Sequence, residues 1–98
     1  VIKLATAPIK FQILKALIHG EERWNYEIIP SIQKACGMES NYGRDVINFD
    51  LLELLSAGIV TDLEQKVDTE GVFKKDSLLH KYKISDFGLE WAEAMKIA

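Results

Sequence analysis

Arg44 and Asn48 stand four residues apart in a segment with helical apolar spacing, so they share one helix face. A guanidinium pairs bidentately with guanine, and a carboxamide does the same with adenine. Lys74-Lys75 and the alternating Lys81-Tyr82-Lys83 supply cations of the kind that hold phosphates. The soft metal-ligand types are His19, His80 and Cys36. They are far apart, with no Cys-x-x-Cys or His-x-x-x-His spacing, so no metal or other cofactor is expected. No Gly-rich phosphate loop, no nucleophile beside a base and no carboxylate pair on a rigid cleft can be read. The chain is therefore not expected to be an enzyme. Cys36 falls on the apolar side of its segment, as an inert buried thiol does.

A formal charge of -3 over 98 residues argues against a non-specific polyanion binder. The charge is uneven, however. Residues 1–20 carry +3, residues 21–58 carry -4, residues 59–83 are neutral and residues 84–98 carry -2. Binding to a polyanion then requires a local patch, doubled if two chains pair. The length fits one domain, and 48% hydrophobic with 28% charged residues fits a folded chain with its own core. Apolar runs are a few residues long, so no membrane span is expected. A single cysteine allows no intrachain disulfide, and a cytoplasmic location is expected. The chain starts at Val1 and not at Met, as a piece of a longer protein would.

The elements that must carry these side chains follow from periodicity and punctuation. Thr6-Ala7-Pro8 reads as a helix start, Ile9, Ile13, Leu14, Leu17 and Ile18 as its stripe, and His19-Gly20 as its end, giving a helix over 6–19. Glu21 to Trp24 is a short connector with room for one bridge of strand. Asn25 reads as the N-cap of a helix over 26–36 that Gly37 closes, with Pro30 distorting its first turn or delaying its start. Ser40 and Asn41 are alternative caps for the helix over 41–57, whose stripe is Val46, Ile47, Leu51, Leu54 and Leu55. After Gly58 the period changes. Ile59 to Leu63 and Lys81 to Ser85 read as the strands of an antiparallel hairpin over 59–85, with a polar turn around Asp68-Thr69-Glu70-Gly71. Ser85 caps a last helix over 86–97, in which Phe87, Trp91 and Met95 either cover the core or form a dimer seam.

The predicted class is α+β, mainly α, in one domain over residues 1–98: a three-helix core, a two-stranded hairpin and a C-terminal helix. That order is the order of a winged helix-turn-helix domain. Asn25-Tyr26-Glu27-Ile28-Ile29 resembles the start of the second helix in PadR-like transcriptional regulators. Leu51 to Val60 resembles the end of a recognition helix running into the first wing strand. Lys81-Tyr82-Lys83-Ile84-Ser85-Asp86-Phe87-Gly88 is similar to that family's second wing strand. The resemblance spans about Ile9 to Met95.

The resemblance implies sequence-specific binding of double-stranded DNA by a homodimeric transcriptional regulator. The N-terminal part of the third helix would enter the major groove. Asn41, Tyr42, Arg44 and Asn48 then sit at the bases, and Lys74, Lys75, Lys81 and Lys83 on the backbone. Each has a plainer reading beside this one. Arg44 and Asn48 also fit a solvated helix face, Lys74-Lys75 a solubilising turn, and Lys81 and Lys83 the protection of an edge strand. Gly43 fits either a close phosphate approach or a weak residue in a first helical turn. Lys10 and Lys15 fit flanking phosphates or the rim of a dimer interface. The acidic stretch 21–58 motivates an alternative, a winged-helix module that docks a protein and not DNA.

Overall fold

A computed structural model describes residues 9–96. It is α+β and mainly helical. Helices α1 (Ile9–Leu17), α2 (Asn25–Cys36) and α3 (Asn41–Ser56) pack together. Strands β1 (Arg23–Trp24), β2 (Val60–Val67) and β3 (Leu78–Ile84) form an antiparallel sheet in the order β1-β3-β2, and α4 (Asp86–Ala94) closes the chain. The predicted helix start at Thr6-Ala7-Pro8 and the last turn at Ile97 lie outside the described residues. The sheet has three strands where two were predicted. Two residues, Arg23 and Trp24, pair with Tyr82 and Lys81, too short a segment to show a period of its own.

The core follows the predicted stripes of α1 and α3, whereas in α2 the face expected from Tyr26, Ile29, Ile32, Gln33 and Cys36 is shifted to Ile28, Ile29 and Ile32. Ile13, Leu14 and Leu17 of α1, Ile28, Ile29 and Ile32 of α2, and Ile47, Leu51 and Leu54 of α3 are buried together against Val60, Tyr82 and Ile84 of the sheet. Fully burying an aliphatic side chain of this size stabilises by about 1.5–3 kcal/mol. These contacts, and not helix propensity, hold the three helices.

Two local readings are corrected. Asn25 is the first helical residue of α2 and not its cap. Trp24 occupies the cap position, and its N–H donates to Glu27 Oε1 at 2.9 Å. The Asn25 side chain is buried and accepts from the His80 N–H at 3.3 Å, tying α2 to β3. Pro30 neither delays nor ends α2. The helix runs through it with Pro30 on the exposed side, where water can reach the carbonyl that lacks its N–H partner.

The turn between α2 and α3 is braced. Gly37 takes the left-handed conformation at φ 67°. Gln33 Nε2 donates to the carbonyls of Met38 and Ser40 at 3.0 and 3.1 Å, and Ser40 Oγ accepts from the Gly43 N–H at 3.1 Å. Ser40, not Asn41, is therefore the cap. Gly43 is buried, and a Cβ there would run into the Met38 carbonyl. Its role is close packing of this turn on α3, which decides between the two readings of that glycine.

Ser85 joins the sheet to α4. Its hydroxyl accepts from the Gly88 N–H at 2.9 Å and lies within bonding distance of the Gly58 and Ile59 carbonyls. A Cβ on Gly88 would meet the Ile59 carbonyl and sit 2.9 Å from Ile84 Cγ1. Gly88→Ala is expected to overpack this junction and destabilise by about 1–3 kcal/mol. A urea melt should show a lower midpoint at unchanged slope; an unchanged midpoint would mean that the junction gives way freely.

Candidate functional site

A helix of 16 residues packed on one side divides into a buried face, two flanks and an outward face. In α3 the buried face is Gly43, Ile47, Leu51 and Leu54. One flank meets α1: Lys10 Nζ lies 2.8 Å from both Asp50 Oδ1 and Glu53 Oε1. The hydrogen bonds that Lys10 donates to these two carboxylates raise its pKa above the ordinary value, against a smaller opposing effect of burial. Lys10 is thereby committed to α3 and is not a free phosphate contact. The acids it holds are the two on the later part of this helix; Asp45, nearer its N-terminal end, stays exposed.

The other flank meets the hairpin. The Arg44 guanidinium carbon lies 5.5 Å from the centre of the Phe73 ring, within cation–π range, and its Nε is 3.1 Å from Asp45 Oδ1. Only 25% of the Arg44 side chain is exposed. Asn48, one turn further on, has its Oδ1 buried with no hydrogen-bond partner among the described residues. The spacing rule held, since Arg44 and Asn48 do share a face. Arg44 on that face meets Phe73 of the hairpin, Asn48 is half-buried, and the outward stripe is Asn41, Tyr42, Asp45, Phe49 and Leu52. Tyr42 is 77% exposed and Phe49 60%.

The hairpin tip was left open by the sequence, and it is built around Asp68. This carboxylate is buried, at 2% exposure. Oδ1 accepts from the Val72 N–H at 2.8 Å, and Oδ2 accepts from the Phe73 and Lys74 N–H groups, also at 2.8 Å. The backbone closes the loop from behind. The Asp68 N–H donates to the Ser77 carbonyl, and the Asp76 N–H donates to the Asp68 carbonyl, each at 2.8 Å. Phe73 is thus fixed where it packs on the core and on Arg44. Lys74 and Lys75 follow it directly, both exposed, and neither makes an ion pair among the described residues.

The strand lysines divide. Lys81 lies 3.5 Å from Glu22 Oε1 and 4.0 Å from Glu64 Oε2, so its charge is countered locally. Lys83 is half-buried with no ion pair among the described residues. Lys66, not singled out by the sequence, sits 4.6 Å over the Trp24 ring, which stacks on Tyr26. On the core face of the sheet, His80 Nδ1 lies 2.8 Å from Asp62 Oδ2, and His80 stacks on Tyr82. Burial, with Asp62 nearby, pushes the Tyr82 phenol well above its ordinary pKa.

The arrangement offers a corner of mixed charge, in which Lys74 and Lys75 make no ion pair among the described residues and Glu70, Asp76 and Asp45 are also exposed. It consists of the exposed N-terminal turn of α3, with its unpaired backbone N–H groups and positive dipole end, and a loop carrying Lys74 and Lys75 beside it. Among the described residues no group of three or more His, Cys, Asp or Glu could hold a metal ion, and no helix is long and apolar enough to cross a membrane. Cys36 is half-buried against the core. No family model matches the chain, and neither does a curated protein or a solved structure.

Asp68 gives the tip a pH dependence. Burial raises its pKa, but the N–H groups of Phe73, Val72, Lys74 and Gly71 together outweigh burial and hold it below the ordinary carboxylate value. A depressed folded-state pKa contributes stability that is present above the unfolded value and lost as pH falls through the folded one. The amides of Val72, Phe73 and Lys74 should therefore stay protected from exchange through mildly acid pH. They should lose protection only below about pH 4, the ordinary range of Asp. Loss of protection near neutrality would contradict the hydrogen bonding described.

Proposed function

We propose that the chain is a winged-helix domain of the PadR-like kind that binds double-stranded DNA as a homodimeric transcriptional regulator in the cytoplasm. In this reading α3 is the recognition helix and the β2–β3 hairpin is the wing. The observation that carries it is the seating of the hairpin tip on α3: Phe73 packs on Arg44, and the exposed Lys74 and Lys75 follow Phe73 in the chain. A net charge of -3 is no obstacle when the acids are answered elsewhere, as Lys10 answers Asp50 and Glu53.

The geometry reassigns roles within this function. Asn41 and Tyr42 remain at the groove-facing end, joined by Asp45 and Phe49. An aspartate accepts from the cytosine amino group, and an aromatic ring packs on the thymine methyl. Arg44 holds the wing, and Asn48 lies behind it. Lys74 and Lys75 serve the phosphates at the tip; Lys83 lies at the far end of the second wing strand, paired with Thr61, and Lys81, paired to Glu22 and Glu64, contributes little.

A second reading has its own observation. Tyr42, Phe49 and Leu52 leave an apolar strip along the outward face of α3, the kind of surface that docks a protein.

Titrating a duplex with the protein between about 50 and 200 mM salt separates the two readings. DNA binding should weaken steeply with salt. Replacing both Lys74 and Lys75 by Ala should reduce the salt slope by about 2, whatever the sequence. No duplex binding at low salt, together with a partner whose capture survives nuclease and is lost in Phe49→Ser, would replace the DNA reading with the protein one.

A further inference from the structure

We propose that Asp68 is a positioning residue for DNA binding: by holding the backbone of Val72, Phe73 and Lys74 it fixes Lys74 and Lys75 beside α3. The inference rests on the DNA reading above and adds a residue that does not itself touch DNA. A turn of this length does not require such a knot. One carboxylate accepts three N–H groups at 2.8 Å, from residues four, five and six positions further on. A carboxylate is the side chain that can do this, since both oxygens accept and neither carries a proton. One of the three N–H groups belongs to Lys74 itself. Another belongs to Phe73, whose ring meets Arg44 at 5.5 Å. The chain of contacts runs from Asp68 through Phe73 to Arg44 of α3, with Lys74 in the anchored segment and Lys75 just past it.

Charge and position make opposite predictions here. Asp68 is an acid next to two phosphate-binding lysines, so on charge alone its neutralisation should strengthen DNA binding. As the anchor of those lysines, its neutralisation should weaken binding. Asp68→Asn keeps the shape but turns one acceptor oxygen into an NH2 donor that faces backbone N–H donors. Asp68 lies outside the apolar core cluster, so the domain should stay folded.

The test measures duplex affinity against salt for the wild type, Asp68→Asn, the Lys74→Ala/Lys75→Ala pair and the triple variant. The expected result is that Asp68→Asn lowers the salt slope toward that of the lysine pair, by about 2 at most. The triple variant should then lose no more than the lysine pair, because Asp68 acts through those lysines. Phe73→Ala serves as a second variant. It should lower the slope too while the amides of Val72 and Lys74 remain protected from exchange, since the Asp68 bonds persist. If the wild type binds and Asp68→Asn binds as well or better, or if its effect adds in full to that of the lysine pair, the positioning role is wrong and the DNA reading stands. If the wild type binds no duplex at low salt, the DNA reading falls and takes this role with it.

Discussion

A buried carboxylate must find donors, and Asp68 finds them in the backbone of its own turn. An unanchored ten-residue connection between two strands would be free to take many conformations. The carboxylate removes that freedom, and what it leaves is a loop with one apolar residue, Phe73, turned in and two lysines turned out. The position of the lysines relative to α3 then depends on the ring of Phe73 against Arg44. Without the anchor, the corner would be a time average and not a place.

The same helix shows how an acidic chain can leave two lysines without ion pairs among the described residues near one helix end. The carboxylates of Asp50 and Glu53 are answered by Lys10 on the α1 flank. Arg44 is committed on the hairpin flank. The N-terminal end of α3 keeps its exposed turn and gains the tip lysines. Further along, the outward face becomes apolar at Phe49 and Leu52. The functional question is thus narrowed to one face of one helix and the loop beside it.

Much of the fold was legible because punctuation and periodicity agree. Gly37 and Gly58 end helices in the left-handed conformation, Ser40 and Ser85 cap the helices that follow, and the apolar stripes of α1 and α3 became the core. The misses have physical causes. Asn25 has the chemistry of a cap and also that of a buried tether, and only the position of His80 decides between them. Strand β1, by contrast, is the short bridge for which the Glu21 to Trp24 connector left room, paired on the edge of β3. The site was less legible than the fold. A spacing of four places Arg44 and Asn48 together on α3, but which way that face points depends on where the hairpin lies, and that depends on Asp68 and Phe73. The run Asp68-Thr69-Glu70-Gly71 did mark a turn. Its further reach, to the N–H groups of residues 72–74, had no counterpart in local sequence.

The central claim is that the tip is seated on α3 in the free protein. Nuclear Overhauser contacts in solution test it most directly. Cross-peaks between the Phe73 ring and the Arg44 side chain, with tip amides as rigid as those of β2 and β3, are the predicted result. Absence of those cross-peaks, with residues 72–75 moving on the picosecond–nanosecond timescale, would contradict it.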